Sequence, residues 1–359
     1  MTLSLGSLGL AAALATGGAV PPALERCIAA EARKLEFSGV VSVVRPEGAI
    51  SHVSGVVAGT GSSPIGAETR FSIASAGKMF TAVAIAQLVD SGKVRLDDPV
   101  GRHVTGLTPE ASAVTVRQLL DDSSGLGNFF TPGNLQTLQR ARSVAELFPL
   151  VATARPSFTP GSRSEYSNTG FLLLGLLVER VAGVSYDRYL DEHLFRSAGM
   201  VASGMDRGEG GTQAIGMTAS RGPLQPSPEA ALRGTPAGGG FSTAVDMQRF
   251  FAALLAGRLT SQAMLKALTS PQRTVVPAKG DVPQISSGLG FGVGTFQGHR
   301  WLGHNGGAPG ANVEATAFPD DRTAVVVLSN RDPPAATALF WQVRAALFDP
   351  TRSSCATDG

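Results

Sequence analysis

Strand-type patterns sit at the two ends of this chain, with a long helical stretch between them. Near the start, Gly39 to Arg45 and Ile50 to Ala58 are β-branched runs split by the turn signal Pro46-Glu47-Gly48. Arg70 to Ile73 is a short third run. Near the end come Ser287 to Phe296, Arg300 to Gly303, Asn312 to Phe318 and Thr323 to Ser329, with Pro319-Asp320-Asp321 as a turn before the last. Between them the apolar period is helical. Gly77 to Ser91 places Met79, Phe80, Val83, Ala84 and Leu88 on one face, and Val116 to Leu120, Ser143 to Ala152, Thr169 to Val181, Tyr186 to Leu194 and Ala244 to Leu255 follow. Ala23 to Lys34 and Pro333 to Leu347 read as terminal helices. Isolated end strands must find partners, so the pattern predicts an α+β fold: one antiparallel sheet of N- and C-terminal strands, flanked by the terminal helices, with a large helical insert. The expected division is 21–74 plus 271–359 as the sheet lobe and 75–270 as the mostly helical lobe, with the active site at the interface.

Composition supports a packed protein: 43% of the 359 residues are hydrophobic and 16% charged, enough apolar surface for a large core. Thirty basic residues against 28 acidic ones form no basic run, so nucleic-acid binding has no electrostatic footing. Cys27 and Cys355 are the only cysteines, and HExxH is absent, so neither a metal nor an organic cofactor is expected. Leu8 to Ala15, ending Ala13-Leu14-Ala15, reads as the apolar core and cleavage site of a secretory signal over residues 1–20, although no Lys or Arg precedes it. The expected location is therefore periplasmic or secreted, with cytoplasmic as the alternative. In an oxidising compartment Cys27 and Cys355 are able to pair. That apolar run is too short to span a bilayer, so no stable membrane insertion is expected.

Three short motifs carry chemistry. Ser75-Ala76-Gly77-Lys78 lies where a strand gives way to a helix, and positions i and i+3 share a helix face. A serine needs a base, and a lysine is one only when burial and positive neighbours leave it neutral. Taken alone, the motif also fits an N-capping Ser beside a solvated Lys. Tyr166-Ser167-Asn168 precedes a helix; its phenol can relay a proton beside an ammonium, and its amide can hold Lys78 and a substrate carbonyl. Gly303-His304-Asn305-Gly306-Gly307 ends a predicted strand, and its small residues let a substrate backbone approach, though a hairpin turn fits as well. Gly288-Leu289-Gly290-Phe291-Gly292 is better read as a Gly-alternating strand than as a dinucleotide loop. Thr243 with Asp246 reads as a helix cap.

In this order and layout, SxxK, YxN and HxG resemble the serine β-lactamase and penicillin-binding superfamily. The chain is most similar to the class C-like branch, which includes class C β-lactamases, D-alanyl-D-alanine carboxypeptidases, D-aminopeptidases and family VIII carboxylesterases. The likeness also takes in Phe71 to Ala82, Val114 to Gly125, Pro160 to Gly175 and Gly238 to Phe251, and covers most of residues 35 to 330. It implies Ser75 as nucleophile. Lys78 and Tyr166 would share the base role, with Tyr166 preferred. Asn168 would position Lys78 and substrate, and the amides of Ser75 and Gly307 would form the oxyanion hole beside Gly306. His304 stands where penicillin-recognising members carry the Lys of KTG. An ordinary His is mostly neutral at pH 7, so carboxylate-bearing substrates lose an anchor and neutral esters lose nothing. Gly77 replaces a bulkier residue and is expected to weaken the helix start by up to about 1 kcal/mol. The resulting expectation is a serine hydrolase on small acyl esters. The alternatives are a D-amino-acid peptidase, a weak β-lactamase, or a non-catalytic sensor on the same fold; the expected partner is a small ester or amide.

Overall fold

A computed structural model describes residues 22–58, 62–206, 212–276 and 285–349. The expected signal segment and Cys355 lie outside these residues, so the pairing of Cys27 with Cys355 stays an expectation. The main sheet contains eight strands: β1 Gly39–Arg45, β2 Gly48–Ser54, β3 Arg273–Val276, β4 Ile285–Ser287, β5 Gly292–Phe296, β6 His299–Ala308, β7 Ala311–Phe318 and β8 Thr323–Ser329. Their order is β2-β1-β8-β7-β6-β5-β4-β3, with every neighbouring pair antiparallel. The N-terminal hairpin thus docks on the last strand, Val41 opposite Val327, and joins the two ends of the chain in one sheet. The helices used below are α1 Pro22–Lys34, α2 Lys78–Asp90, α3 Asn168–Ala182, α4 Ala244–Leu255 and α5 Ala335–Phe348.

The side-chain period of two sorts the central strands onto two cores. Val41 and Val43 of β1, with Val325 and Val327 of β8, pack with Leu24 and Ile28 of α1 and Leu339 and Val343 of α5. Val40 and Val44, with Val326 and Leu328, face the other way and join Met79 and Phe80 of α2 and Phe250 of α4. All of β7 and β8 is therefore buried, which explains the near-continuous apolar run of β8, while β7 alternates buried Asn312, Glu314 and Thr316 with apolar residues. Each such side chain removed from water contributes about 1.5–3 kcal/mol before the entropy of ordering it is counted. Among the described residues no single helix is long and apolar enough to cross a membrane.

Three expectations need correcting. Residues 288–291 are not strand: Gly290 has φ +78°, and its N–H donates to Leu120 O while that of Leu289 donates to Leu268 O, so the segment tucks under the helices instead of pairing. Phe71–Ser72 pairs with Phe241–Ser242 in a separate two-stranded sheet. The motif at residues 303–307 does not end its strand, because β6 stays paired with β7 as far as Ala308 opposite Ala311. Thr243 does cap α4, accepting from the Asp246 amide at 3.1 Å.

Candidate active site

The site lies where α2 begins against β6. Ala74–Gly77 forms one 3-10 turn that leads directly into α2. Ala74 holds φ +43°, a strained conformation for a residue with a side chain, immediately before Ser75. The turn is pinned from two sides. Gly239 donates its amide to Ala74 O at 2.8 Å. On the other side Gly306 is so close that a Cβ there would stand 2.6 Å from Ile73 O and 3.0 Å from Ser75 N. A Cβ at Gly77 would lie 3.2 Å from Gly239 O, so this glycine also makes room for that loop.

Tyr166 and Asn168 come from the start of α3. Ser167 caps that helix, its Oγ accepting from Gly170 N at 2.9 Å, while Gly183 ends it at φ +72°. The cap sets Tyr166 on the solvent side and Asn168 on the buried side. Tyr166 is 47% exposed overall, yet its hydroxyl turns inward and donates to Ser75 Oγ at 2.7 Å. Lys78 is fully buried. Its ammonium donates to Asn168 Oδ1 at 2.6 Å and to the Ala237 carbonyl. It also lies 4.6 Å from the Tyr166 ring centre and 5.2 Å from that of Phe171. Tyr166 thus touches Ser75 through its hydroxyl and Lys78 through its ring face, and the direct Ser–Lys contact that the spacing suggested is not made among the described residues.

Burial governs the protonation states here. It lowers Lys78 to about 7, against an opposing pull from the Asp122 charge. It also pushes the Tyr166 phenol well above its ordinary range, where an ammonium neighbour was expected to lower it; the hydrogen bond to Ser75 only partly offsets this. His304 drops to about 4 through burial and the nearby Lys78 charge. Its Nδ1–H donates to the Asn305 carbonyl, which leaves Nε2 as an acceptor at neutral pH. Beyond Gly303, opposite Gly292, β5 no longer covers β6, so the outer edge from His304 to Ala308 is open. Gly307 is exposed on that edge and Gly306 is buried against the turn.

The fold therefore brings Ser75, Lys78, Tyr166, Asn168, His304, Gly306 and Gly307 to one place. Two neighbours escaped the sequence reading. Asn128 Oδ1 accepts from Asn168 Nδ2 at 2.9 Å and so fixes which way that amide points. Asp122 accepts the Ser167 amide at 3.0 Å. A carboxylate amid the apolar and small residues of Leu119 to Gly125 was the only hint of the second; nothing marked the first.

Fold and site together are those of the β-lactamase and penicillin-binding-protein superfamily. More narrowly, a family model described as Beta-lactamase matches residues 24–348, and the chain belongs to that family. It is 26% identical over 267 residues to PbpX of Bacillus subtilis, an alignment covering 73% of this chain and 62% of that protein. The chain thus spans less than two thirds of the length of curated relatives such as PbpX. Among solved structures, a penicillin binding protein from Bacillus halodurans matches with a TM-score of 0.80 at 27% identity, covering 89% of this chain and 98% of that one. A D-amino acid amidase from Ochrobactrum anthropi matches at 0.75 and 24% identity, covering 90% and 96%, which shows a shared fold.

Proposed function

We propose that the chain is a serine hydrolase that acylates Ser75 and prefers small, neutral acyl esters. The observation that carries the mechanism is the 2.7 Å contact between the Tyr166 hydroxyl and Ser75 Oγ, with Lys78 buried behind the phenol. In the resting site the phenol is the donor. For attack, the Ser75 proton passes to the Tyr166 oxygen while the phenolic proton passes to neutral Lys78. Burial lowers Lys78 toward neutrality and so lets it take this proton near neutral pH, whereas Tyr166 alone is too weakly acidic to be a free phenolate. The Oγ–C bond forms, and the amides of Ser75 and Gly307 hold the oxyanion. Collapse expels the alkoxide, which takes the proton back along the same relay. Water then cleaves the acyl-enzyme by the reverse sequence.

The ester preference rests on His304, which offers a neutral acceptor where a fixed cation would hold a substrate carboxylate. Arg300 is a poor substitute, since its charge is already matched by Asp320, which accepts from Nε and Nη2 at 2.6 and 2.5 Å. The test is kcat/KM for p-nitrophenyl butyrate, a D-Ala-D-Ala peptide and nitrocefin on one preparation. The ester should lead. A faster peptide or lactam would replace the esterase reading with a D-peptidase or lactamase one.

A further inference from the structure

Asp122 has no part in the acyl transfer just described, yet it touches the machinery at two points. Its main-chain carbonyl accepts the Glu165 amide at 2.8 Å, and its carboxylate accepts the Ser167 amide at 3.0 Å. Those two amides flank Tyr166. One residue therefore grips the backbone on both sides of the phenol, and it does so at φ +58°, a left-handed conformation that Asp adopts more readily than most residues with a side chain. Its neighbour Asp121 behaves differently: Ser123 Oγ donates to it at 2.6 Å, and Arg273 lies 3.6 Å away. Among the described residues Asp122 has no ion pair within 4.0 Å, and Lys78 is the cation whose charge acts on it.

We propose that Asp122 is a positioning residue of the acylation site: it clamps the turn that carries Tyr166, and its negative charge holds Lys78 as a cation until the relay needs it neutral. This rests on the Ser75 reading above. The groups facing the Lys78–Asp122 pair are Tyr166, Asp121 with its partner Arg273, and His304. His304 is neutral near pH 7, and the Asp121 charge, only partly met by Arg273, adds to the rise of Asp122. Burial raises Asp122 to about 7, against the pull of the Ser167 amide and of Lys78, so both members titrate in the same range. The Asp122 charge also raises Tyr166. Removing it lowers Lys78 and Tyr166 together, and both changes favour proton transfer at lower pH.

Asp122→Asn separates clamp from charge, because the amide oxygen still accepts the Ser167 N–H. The experiment is the rate of covalent labelling by a fluorophosphonate against pH, for wild type and Asp122→Asn, with the labelled serine identified by mass spectrometry. Labelling at Ser75 whose acid limb moves down by about one to three pH units in the variant is the expected result, the scale of a unit charge between about 12 and 4 Å away at an effective dielectric of about 20. Labelling at Ser75 with an unmoved acid limb overturns the inference and leaves the nucleophile standing. Wild-type labelling at another serine removes both. Should the variant fold poorly, the 13Cε shift of Lys78 in labelled wild-type protein decides the matter: two coupled steps near pH 7 are expected, and one simple step near 10 would overturn it.

Discussion

Tyr166 donates its phenolic proton to Ser75 Oγ at 2.7 Å, across 91 residues of sequence. Lys78 lies over the ring of the same tyrosine, 4.6 Å from its centre, and makes no direct hydrogen bond to Ser75 among the described residues. Tyr166→Phe keeps the ring over Lys78 and removes the relay atom. It should lower kcat by roughly 10²-fold or more, the scale of general-base catalysis, while KM changes much less. Steady-state kinetics on p-nitrophenyl butyrate read both. An unchanged kcat would mean that Lys78 takes the Ser75 proton by another route.

The neutral state of His304 gives a test of substrate choice. Restoring a permanent cation with His304→Lys adds a charge-assisted hydrogen bond for a substrate carboxylate, about 1.5–3 kcal/mol. The ratio of kcat/KM for nitrocefin to that for p-nitrophenyl butyrate should rise by about tenfold to a hundredfold. A flat ratio would show that the His304 position does not meet the carboxylate.

Asn128 acts through Asn168. Its Oδ1 engages Asn168 Nδ2, which keeps Asn168 Oδ1 aimed at Lys78. Asn128→Ala releases that amide and should lower kcat by about tenfold, the worth of one hydrogen bond. Asn128→Asp keeps an acceptor and should recover part of the loss. Equal losses in both variants would argue that Asn128 acts through its own loop, by the Nδ2 donor to the Phe130 carbonyl that Asp lacks, and not through the acceptor on Asn168.

Away from the site, Glu314 is buried on β7, accepts from Thr337 Oγ1 at 2.8 Å and is raised to about 7, chiefly by burial. Its folded value lies above its unfolded one. As pH rises from about 4.5 to 7, the unfolded chain gives up this proton while the folded chain keeps it, so stability falls through that window and levels off above it. Glu314→Gln removes the titration. Urea unfolding at pH 5 and pH 8 should show the variant gaining on the wild type by about 1–3 kcal/mol at the higher pH. An equal difference at both values would place the Glu314 proton elsewhere.

Much of the frame was legible because it is written in residue type. The β-branched runs of β1 and β8 and the alternation of β7 announced strands, and only pairing the chain's ends could bury them. The order of the three motifs pointed to the cluster around Ser75. Other features were hidden for physical reasons. The stretch Gly288 to Phe291 looks like an alternating strand, but the positive φ of Gly290 and a tie to Leu120 turn it inward. The strand past Gly303 looked finished, because a Gly-rich run reads as a turn unless its partner β7 is known. Asp122 and Asn128 act through a main-chain amide and a side-chain amide brought together by folding, and no spacing in the chain encodes such contacts. The protonation of Tyr166 depends on burial, which residue type alone does not set.

The identity of the nucleophile is tested most directly by labelling with a fluorophosphonate, digesting the protein and locating the adduct by mass spectrometry. The expected result is a single adduct on the peptide carrying Ser75, absent from a folded Ser75→Ala variant that also loses ester hydrolysis. An adduct on any other serine, or hydrolysis that survives in Ser75→Ala, would contradict the assignment.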